Sequence, residues 1–111
     1  MASTTGHIIT VEPADVHVRA VHDGQVLADS RRPLVLRETG CPDRYYLPPE
    51  DVRGELLTPS DTRTHCPFKG DASYWSVPGA ADLVWGYPDP KEQVQDIKGH
   101  FCFCATEVVS D

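Results

Sequence analysis

The sequence predicts a mainly β fold: a small antiparallel sheet that folds over on itself, or an open barrel, with one or two short helices. Ten prolines and eight glycines divide the 111 residues into pieces of strand length. Several of these pieces alternate between apolar and polar residues, which is the pattern of half-buried strands. Many short strands with few helical patterns favour an antiparallel sheet over a helical or α/β architecture.

The predicted strands follow an N-terminal arm. Residues 1–15 lack periodicity and are expected to form a loose arm that could join a sheet edge, whereas residues 16–111 form a single β-rich domain. The pair Asp23-Gly24 separates two apolar segments and predicts a β-hairpin. Other strands are predicted at 33–38, 44–47, 72–77, 81–85 and 100–108, and residues 58–70 are expected to be mostly loop.

Two short helical segments are predicted from proline and acidic residues. Pro48 and Pro49 precede two acids, which suits the first turn of a helix near residues 48–52. Asp89 is a capping residue, Pro90 occupies the first helical position and Gly99 ends the segment. The second segment is therefore the best helix in the sequence, although it is short.

Charge and composition exclude several classes of partner. The formal net charge is −7, with 17 acidic against 10 basic residues, and the basic residues form no run longer than Arg31-Arg32. Such a chain is a poor match for nucleic acid or for an anionic membrane surface. No apolar run approaches the roughly 18 residues of a membrane span, and the first ten residues lack the pattern of a secretion signal. We expect a cytoplasmic protein.

The four cysteines are expected to be free thiols rather than a disulfide framework, because no secretion signal precedes them. Cys102 and Cys104 would share one face of a strand, and with Cys41 and Cys66 they could supply four zinc ligands if the fold brought them together. The usual ligand spacings are missing. We therefore favour small apolar residues in a buried strand, and predict neither a metal nor a cofactor.

The most informative segment is 64–75, which places a thiol, an amine, an imidazole, a carboxylate and two aromatic rings around one turn. Pro67 presets a β-turn over 66–69, which brings Cys66 and Lys69 together. A nearby ammonium favours thiolate over thiol, so Cys66 is a candidate nucleophile. The alternative is that Cys66 is a buried residue that anchors the turn and that Lys69 is simply hydrated.

The other candidates flank this turn or alternate along strands. Glu38 and Tyr74 are candidate acid–base groups beside Cys66. The alternative for Glu38 is a structural ion pair with Arg37 or Arg44, since an inward carboxylate needs a partner. Tyr45 and Tyr46 point to opposite faces, so one belongs to the core and the other to a pocket or the surface. The candidate ligand-binding residues are Lys69, Arg37, Tyr45, His65 and Asp71.

Six segments, in their order and spacing, resemble the domain-of-unknown-function family 427 over about residues 17–101. They are 28–32 (ADSRR), 36–40 (LRETG), 45–48 (YYLP), 59–61 (PSD), 65–75, and 85–88 (WGYP). The resemblance implies a β-rich fold of the β-tent type more firmly than it implies a function. The family is also labelled a nucleotidyltransferase domain. Such transfer needs carboxylates that hold magnesium and a cradle for phosphates, and the sequence has no motif for either.

Three classes of function follow from these residues. The first is a cofactor-independent enzyme that catalyses an isomerisation, cyclisation or lyase step on a carbonyl or anionic substrate. The second is a non-catalytic module that binds a small ligand through Lys69 and Arg37. The third is a protein–protein adaptor, in the form of a homodimer through exposed strand edges. We favour a small-molecule pocket, which the first two classes share.

Overall fold

Ten short strands in two antiparallel sheets make up most of residues 7–110, the part of the chain that the computed structural model describes. The strands are β1 (Ile9–Pro13), β2 (His17–His22), β3 (Gln25–Ser30), β4 (Leu34–Glu38), β5 (Arg44–Leu47), β6 (Thr58–Cys66), β7 (Gly70–Val77), β8 (Ala80–Gly86), β9 (Phe101–Phe103) and β10 (Glu107–Val109). Three 3-10 helices accompany them in these residues, at Pro49–Asp51, Gly54–Leu56 and Glu92–Ile97. The prediction of a mainly β, antiparallel fold is confirmed, and the sheets do not close into a barrel.

The large sheet has seven strands in the order β1-β4-β5-β9-β8-β7-β6, and the small sheet has three in the order β10-β2-β3. One core cluster joins the two sheets, since it combines Val18 and Leu27 of the small sheet with Leu47 and Val84 of the large sheet. A second cluster covers the opposite face of the large sheet. There Leu36, Tyr46, Ala72 and Cys102 pack against Tyr87, Val94 and Ile97. The small sheet therefore covers one face of the large sheet, and the segment 87–97 covers the other.

The predicted β2–β3 hairpin is present, and its turn has the conformation that Asp-Gly favours. Asp23 and Gly24 have φ angles of 53° and 78°, so both are left-handed, as a two-residue turn between twisted strands requires. The strand pair runs from His22 opposite Gln25 to Val18 opposite Ser30.

Part of the N-terminal arm joins a sheet edge, which the sequence had suggested as one possibility for an otherwise loose arm. β1 pairs with β4 along its whole length, from Ile9 opposite Glu38 to Pro13 opposite Leu34. Ile9 and Val11 alternate with the exposed Thr10 and Glu12 and pack against the second cluster, which is a short form of the strand pattern. Residues 1–6 of the arm and residue 111 lie outside the described residues. Among the described strands, β1 and β6 form the outer edges of the large sheet, and the homodimer that such edges suggested stays a prediction.

The predicted loop at 58–70 was wrong, because most of it is the nine-residue strand β6. β6 pairs with β7 on one side only, and edge strands tolerate proline and polar residues. The register shifts between Pro59 and Arg63. Asp82 holds this irregular part, since its carboxylate accepts hydrogen bonds from Ser60 Oγ at 2.6 Å and Thr62 Oγ1 at 2.7 Å. These bonds lower the pKa of Asp82.

Two further elements differ from their predictions. The expected helix after Asp89 is a 3-10 segment, Glu92–Ile97, preceded by Lys91 without a side-chain cap and interrupted at Val94 (φ −125°). The predicted final strand is split into β9 in the large sheet and β10 in the small sheet. None of the helices in residues 7–110 has the length and apolar character that crossing a membrane would require.

Candidate functional site

The face of the large sheet that carries the second cluster also holds a cavity of about 300 Å³, which we call the inner cavity. Its volume is at the lower end of the range for small-molecule sites. Its lining combines apolar, aromatic and charged side chains: Leu36, Glu38, Cys41, Pro42, Arg44, Tyr46, Lys69, Tyr74, Trp85 and Tyr87. Charged and aromatic groups therefore meet in one small space.

Strand alternation places most of these side chains on one face. Leu36 and Glu38 are two apart on β4, and Arg44 and Tyr46 are two apart on β5, so each pair shares a face of the sheet. Leu36 lies opposite Arg44 in the β4–β5 register. Tyr74 of β7 lies opposite Trp85 of β8. Neighbouring strands thus bring their wall residues to the same cavity.

Glu38 lies at the centre of the charged groups. Lys69 Nζ donates a hydrogen bond to Glu38 Oε1 at 3.1 Å, and His7 Nε2 lies 3.1 Å from Glu38 Oε2. The Lys69 side chain is 16% exposed and that of Glu38 is 10% exposed. The pair is therefore largely removed from water, where an ion pair is screened much less than at the surface. Arg37 and Arg44 were the partners predicted for Glu38 in a structural ion pair. Neither of them pairs with Glu38.

The predicted turn fixes the position of Lys69. The Lys69 amide donates to the Cys66 carbonyl at 3.2 Å, as a β-turn over 66–69 requires. The Lys69 carbonyl then accepts from the amide of Lys91 at 2.9 Å, and Gln93 Nε2 donates to the Phe68 carbonyl at 2.9 Å. The His7 ring stacks on the Phe68 ring with centroids 4.1 Å apart. Contacts from two other parts of the chain therefore hold the turn against the cavity.

Four aromatic rings form the walls of the inner cavity. Trp85 Nε1 donates to the hydroxyl of Tyr46 at 3.4 Å, and the hydroxyls of Tyr74 and Thr64 are 2.9 Å apart. Burial raises the pKa of Tyr46 and of Tyr87 well above the usual phenol range. Both rings therefore remain neutral phenols at all ordinary pH values and serve as walls or hydrogen-bond donors.

Three predicted site residues line the inner cavity, namely Glu38, Lys69 and Tyr74. Arg37, in contrast, points to the opposite side and pairs with Glu12 at 3.0 Å and Asp43 at 3.4 Å. Tyr45 packs against the core between the two sheets, so its neighbour Tyr46 is the tyrosine of this pair that reaches the cavity. Cys66 is half-buried at the end of β6, outside the lining residues. The thiol is nevertheless near the cavity wall, since besides burial it contributes to the raised pKa of the Tyr87 hydroxyl, and Tyr87 lines the cavity.

His65 and Asp71 lie elsewhere, in a surface groove of about 490 Å³ that we call the outer groove. They face each other across β6 and β7, with Nδ1 and Oδ1 2.7 Å apart, and are 64% and 81% exposed. Although the outer groove is larger, its charged pair is open to solvent, which weakens both electrostatic contacts and ligand enclosure. We therefore take the inner cavity as the candidate functional site.

The four thiols are free, and their environments differ. Cys102 is buried in β9 as predicted, being 1% exposed, and burial raises its pKa to about 12. Cys104 lies beyond the end of β9 and is exposed, so the prediction of a buried strand residue was wrong for it, and Cys41 is exposed too. We expect alkylation of the native protein by iodoacetamide at mildly alkaline pH to modify Cys41 and Cys104, and to modify Cys102 only after unfolding. Peptide mass spectrometry measures this directly. Modification of Cys102 at the rate of Cys41 in the native protein would contradict the structure.

Arg44, Cys41, Trp85 and Tyr87 are cavity residues that the sequence-based site did not include. Arg44 and Tyr46 are two residues apart on β5 and therefore share a face. A prediction of which face of β5 lines the cavity would have found both. Trp85 and Tyr87 also pack in or against the second core cluster, so apolar character alone does not distinguish these cavity residues from core residues. Within residues 7–110, no three His, Cys, Asp or Glu side chains converge in a way that could hold a metal ion.

Comparison with known proteins identifies a family. No curated protein matches the chain. A family model described as "Domain of unknown function (DUF427)" matches residues 10–110. The match includes every residue that lines the inner cavity. It confirms the resemblance that the order and spacing of the sequence segments indicated, and the chain belongs to the DUF427 family.

Proposed function

We propose that this protein binds a small carbonyl compound in the inner cavity and catalyses proton transfer on it without a cofactor. The observation that carries this proposal is the Lys69–Glu38 pair, with a distance of 3.1 Å and with both side chains largely buried in an aromatic-walled cavity. Enzymes commonly place acid–base groups in this kind of setting, because low exposure strengthens their electrostatic effect on a substrate.

The proposed chemistry assigns one role to each member of the pair. A Glu38 carboxylate oxygen accepts the proton from the carbon beside the substrate carbonyl, and the C–H electron pair moves toward the carbonyl oxygen. The Lys69 ammonium donates a hydrogen bond to the resulting enolate oxygen and stabilises its charge. Return of the proton to another atom gives isomerisation, and loss of a neighbouring leaving group gives a lyase reaction. The Tyr74 hydroxyl, which lines the same cavity, is a further proton donor.

A non-catalytic binding module is the second candidate, and one observation favours it. Both carboxylate oxygens of Glu38 already have partners, Lys69 on Oε1 and His7 on Oε2. Such a pair can serve to hold the cavity open and polar without accepting a proton from a ligand. The two candidates share the cavity and differ only in whether a C–H bond breaks.

Deuterium exchange from solvent separates the two candidates, because it detects C–H cleavage without knowledge of the final product. A panel of small ketones and oxo acids is incubated with the protein in D2O, and proton NMR follows loss of the signal beside each carbonyl. We expect exchange with at least one compound, and a decrease of at least about a hundredfold for Glu38→Gln. Glu12→Gln, a matched change at a 56% exposed carboxylate, should leave the rate unchanged.

Two other outcomes of the exchange experiment would contradict parts of the proposal. Exchange that survives in Glu38→Gln contradicts the assignment of Glu38 as the base. Binding of panel compounds without any exchange above the buffer rate contradicts catalysis and supports the binding module.

A further inference from the structure

We infer that Arg44 holds a carboxylate of the ligand, so that the inner cavity selects small monocarboxylates that carry a second polar group. This inference rests on the proposed function, since it specifies which ligands the same cavity accepts. The carboxylate end of the ligand lies at Arg44, and its carbonyl end lies at Glu38 and Lys69. The sequence-based interpretation gave ligand binding to Lys69 and Arg37, and the structure places Arg37 on the opposite side.

Arg44 differs from the other arginines in its partners. Five other arginines of the described chain hydrogen-bond a carboxylate or a backbone carbonyl: Arg19, Arg32, Arg37, Arg53 and Arg63. Within residues 7–110, the Arg44 guanidinium has no ion pair and no hydrogen bond, and its contact is the Trp85 ring, with a distance of 5.4 Å to the centroid. A guanidinium presents a planar fork of donors that matches a carboxylate. The Arg44 fork is therefore available on the cavity wall.

The charge of the cavity favours one negative group on the ligand. Lys69 and Arg44 contribute two positive charges and Glu38 one negative charge, so the charged side chains of the lining sum to +1. This local excess of positive charge lies in a chain whose formal net charge is −7. A monocarboxylate neutralises the lining, whereas a phosphate monoester, with a charge of about −1.5 to −2, exceeds it. The volume of about 300 Å³ likewise favours a small ligand.

The strand register sets the separation of the two polar ends. Arg44 lies opposite Leu36, and Glu38 is two residues further along the same face of β4. Diagonal neighbours of this kind in an antiparallel pair have Cα atoms roughly 7–8 Å apart. A single small molecule can therefore reach both Arg44 and the Lys69–Glu38 pair, and the Trp85 ring flanks its carboxylate end.

The two tryptophans provide the readout for a test. The Trp85 indole lies in the inner cavity beneath Arg44, while Trp75 packs on Phe101 in the core between the two sheets, with ring centroids 4.9 Å apart. The ¹⁵N-labelled protein is titrated with phenylpyruvate and with benzyl methyl ketone. The ketone has a methyl group in place of the carboxylate of phenylpyruvate. We expect phenylpyruvate to shift the Trp85 indole signal, leave Trp75 unchanged, and bind at least about tenfold more tightly than the ketone.

Substitutions at Arg44 complete the test. Arg44→Met should weaken phenylpyruvate binding roughly tenfold to one-hundredfold, the range for a hydrogen bond to a charged group, and leave ketone binding unchanged. Arg44→Lys should recover part of the affinity because it keeps the charge. Arg37→Met, the same change at an outward guanidinium, should have no effect. Circular dichroism of each variant confirms that it is folded.

The contradicting results separate this inference from the proposed function. Equal affinities for the two probes, or an Arg44→Met variant that binds phenylpyruvate as tightly as the native protein, overturn the role of Arg44 while the cavity keeps its proposed function. If neither probe shifts Trp85 at millimolar concentration, the inference is overturned together with the proposed binding of carbonyl compounds in this cavity.

Discussion

Replacing Lys69 by methionine is expected to lower the free energy of unfolding by about 2–3 kcal/mol, as measured by urea denaturation at neutral pH. Methionine keeps the length of the side chain but removes the ammonium that lies 3.1 Å from Glu38 Oε1. Loss of one member of a buried ion pair leaves the other charge without compensation, which is more costly than loss of a surface pair. This loss of unfolding free energy is small for a broken buried ion pair, because His7 still contacts the second carboxylate oxygen of Glu38.

The double variant Glu38→Gln/Lys69→Met tests the reason for this loss. Without the carboxylate no unpaired charge remains, so most of the stability should return. Proton exchange should be lost in the single and the double variant alike, because the chemistry needs both groups. A Lys69→Met variant as stable as the native protein, or a double variant less stable than the single one, would contradict the buried pair.

Replacing Gly86 by alanine is the second change with a large expected effect, a loss of about 2–3 kcal/mol of unfolding free energy. A Cβ atom at this position would lie 2.7 Å from the backbone carbonyl oxygen of His100 and 3.5 Å from the Trp75 ring. A backbone oxygen cannot rotate away as a side chain can, so β8 or the chain before β9 must shift. Gly86 lies between Trp85 and Tyr87, and the shift should also weaken ligand binding in the inner cavity.

Gly54 provides the matched control, because a Cβ atom there would meet nothing within 4 Å. Gly54→Ala should be neutral or slightly stabilising, since alanine reduces the freedom of the unfolded chain. Thermal or urea unfolding of the two variants compares the same chemical change at a closed and an open position. Equal stabilities of Gly86→Ala and Gly54→Ala would mean that β8 and the chain before β9 are not as close as the structure shows.

Local patterns in the sequence predicted the elements that depend on local physics. The β2–β3 hairpin follows from Asp23-Gly24, whose two residues suit left-handed angles, and β5 occupies residues 44–47 as predicted. β6 was missed because it is an edge strand with mostly exposed, polar side chains and no apolar periodicity marks it. β1 was missed although Ile9 and Val11 alternate with Thr10 and Glu12, because that alternation spans only a few residues. The split of the final strand between two sheets depends on long-range packing.

The candidate site was predictable to the extent that one turn and strand alternation determine it. The 66–69 turn and its lysine were predicted, as were Glu38 as a candidate site residue and the division of Tyr45 and Tyr46 between opposite faces. The partner of Glu38 was not, because β4 and the turn are far apart in sequence and approach only through the order of the large sheet. The same long-range arrangement brings Arg44 and Trp85 to the inner cavity and leaves His65 and Asp71 in the outer groove.

The most direct test of the central claim asks where small molecules bind, without assuming their class. A library of neutral, cationic and anionic fragments is screened by ¹⁵N NMR, and the shifted signals are mapped onto the sheet. The account predicts that the fragments that bind shift the Trp85 indole and the amides of Glu38 and Lys69, with anionic fragments the most frequent. Binding fragments that instead shift the amides of His65 and Asp71 would place the ligand site in the outer groove and contradict the inner cavity as the functional site.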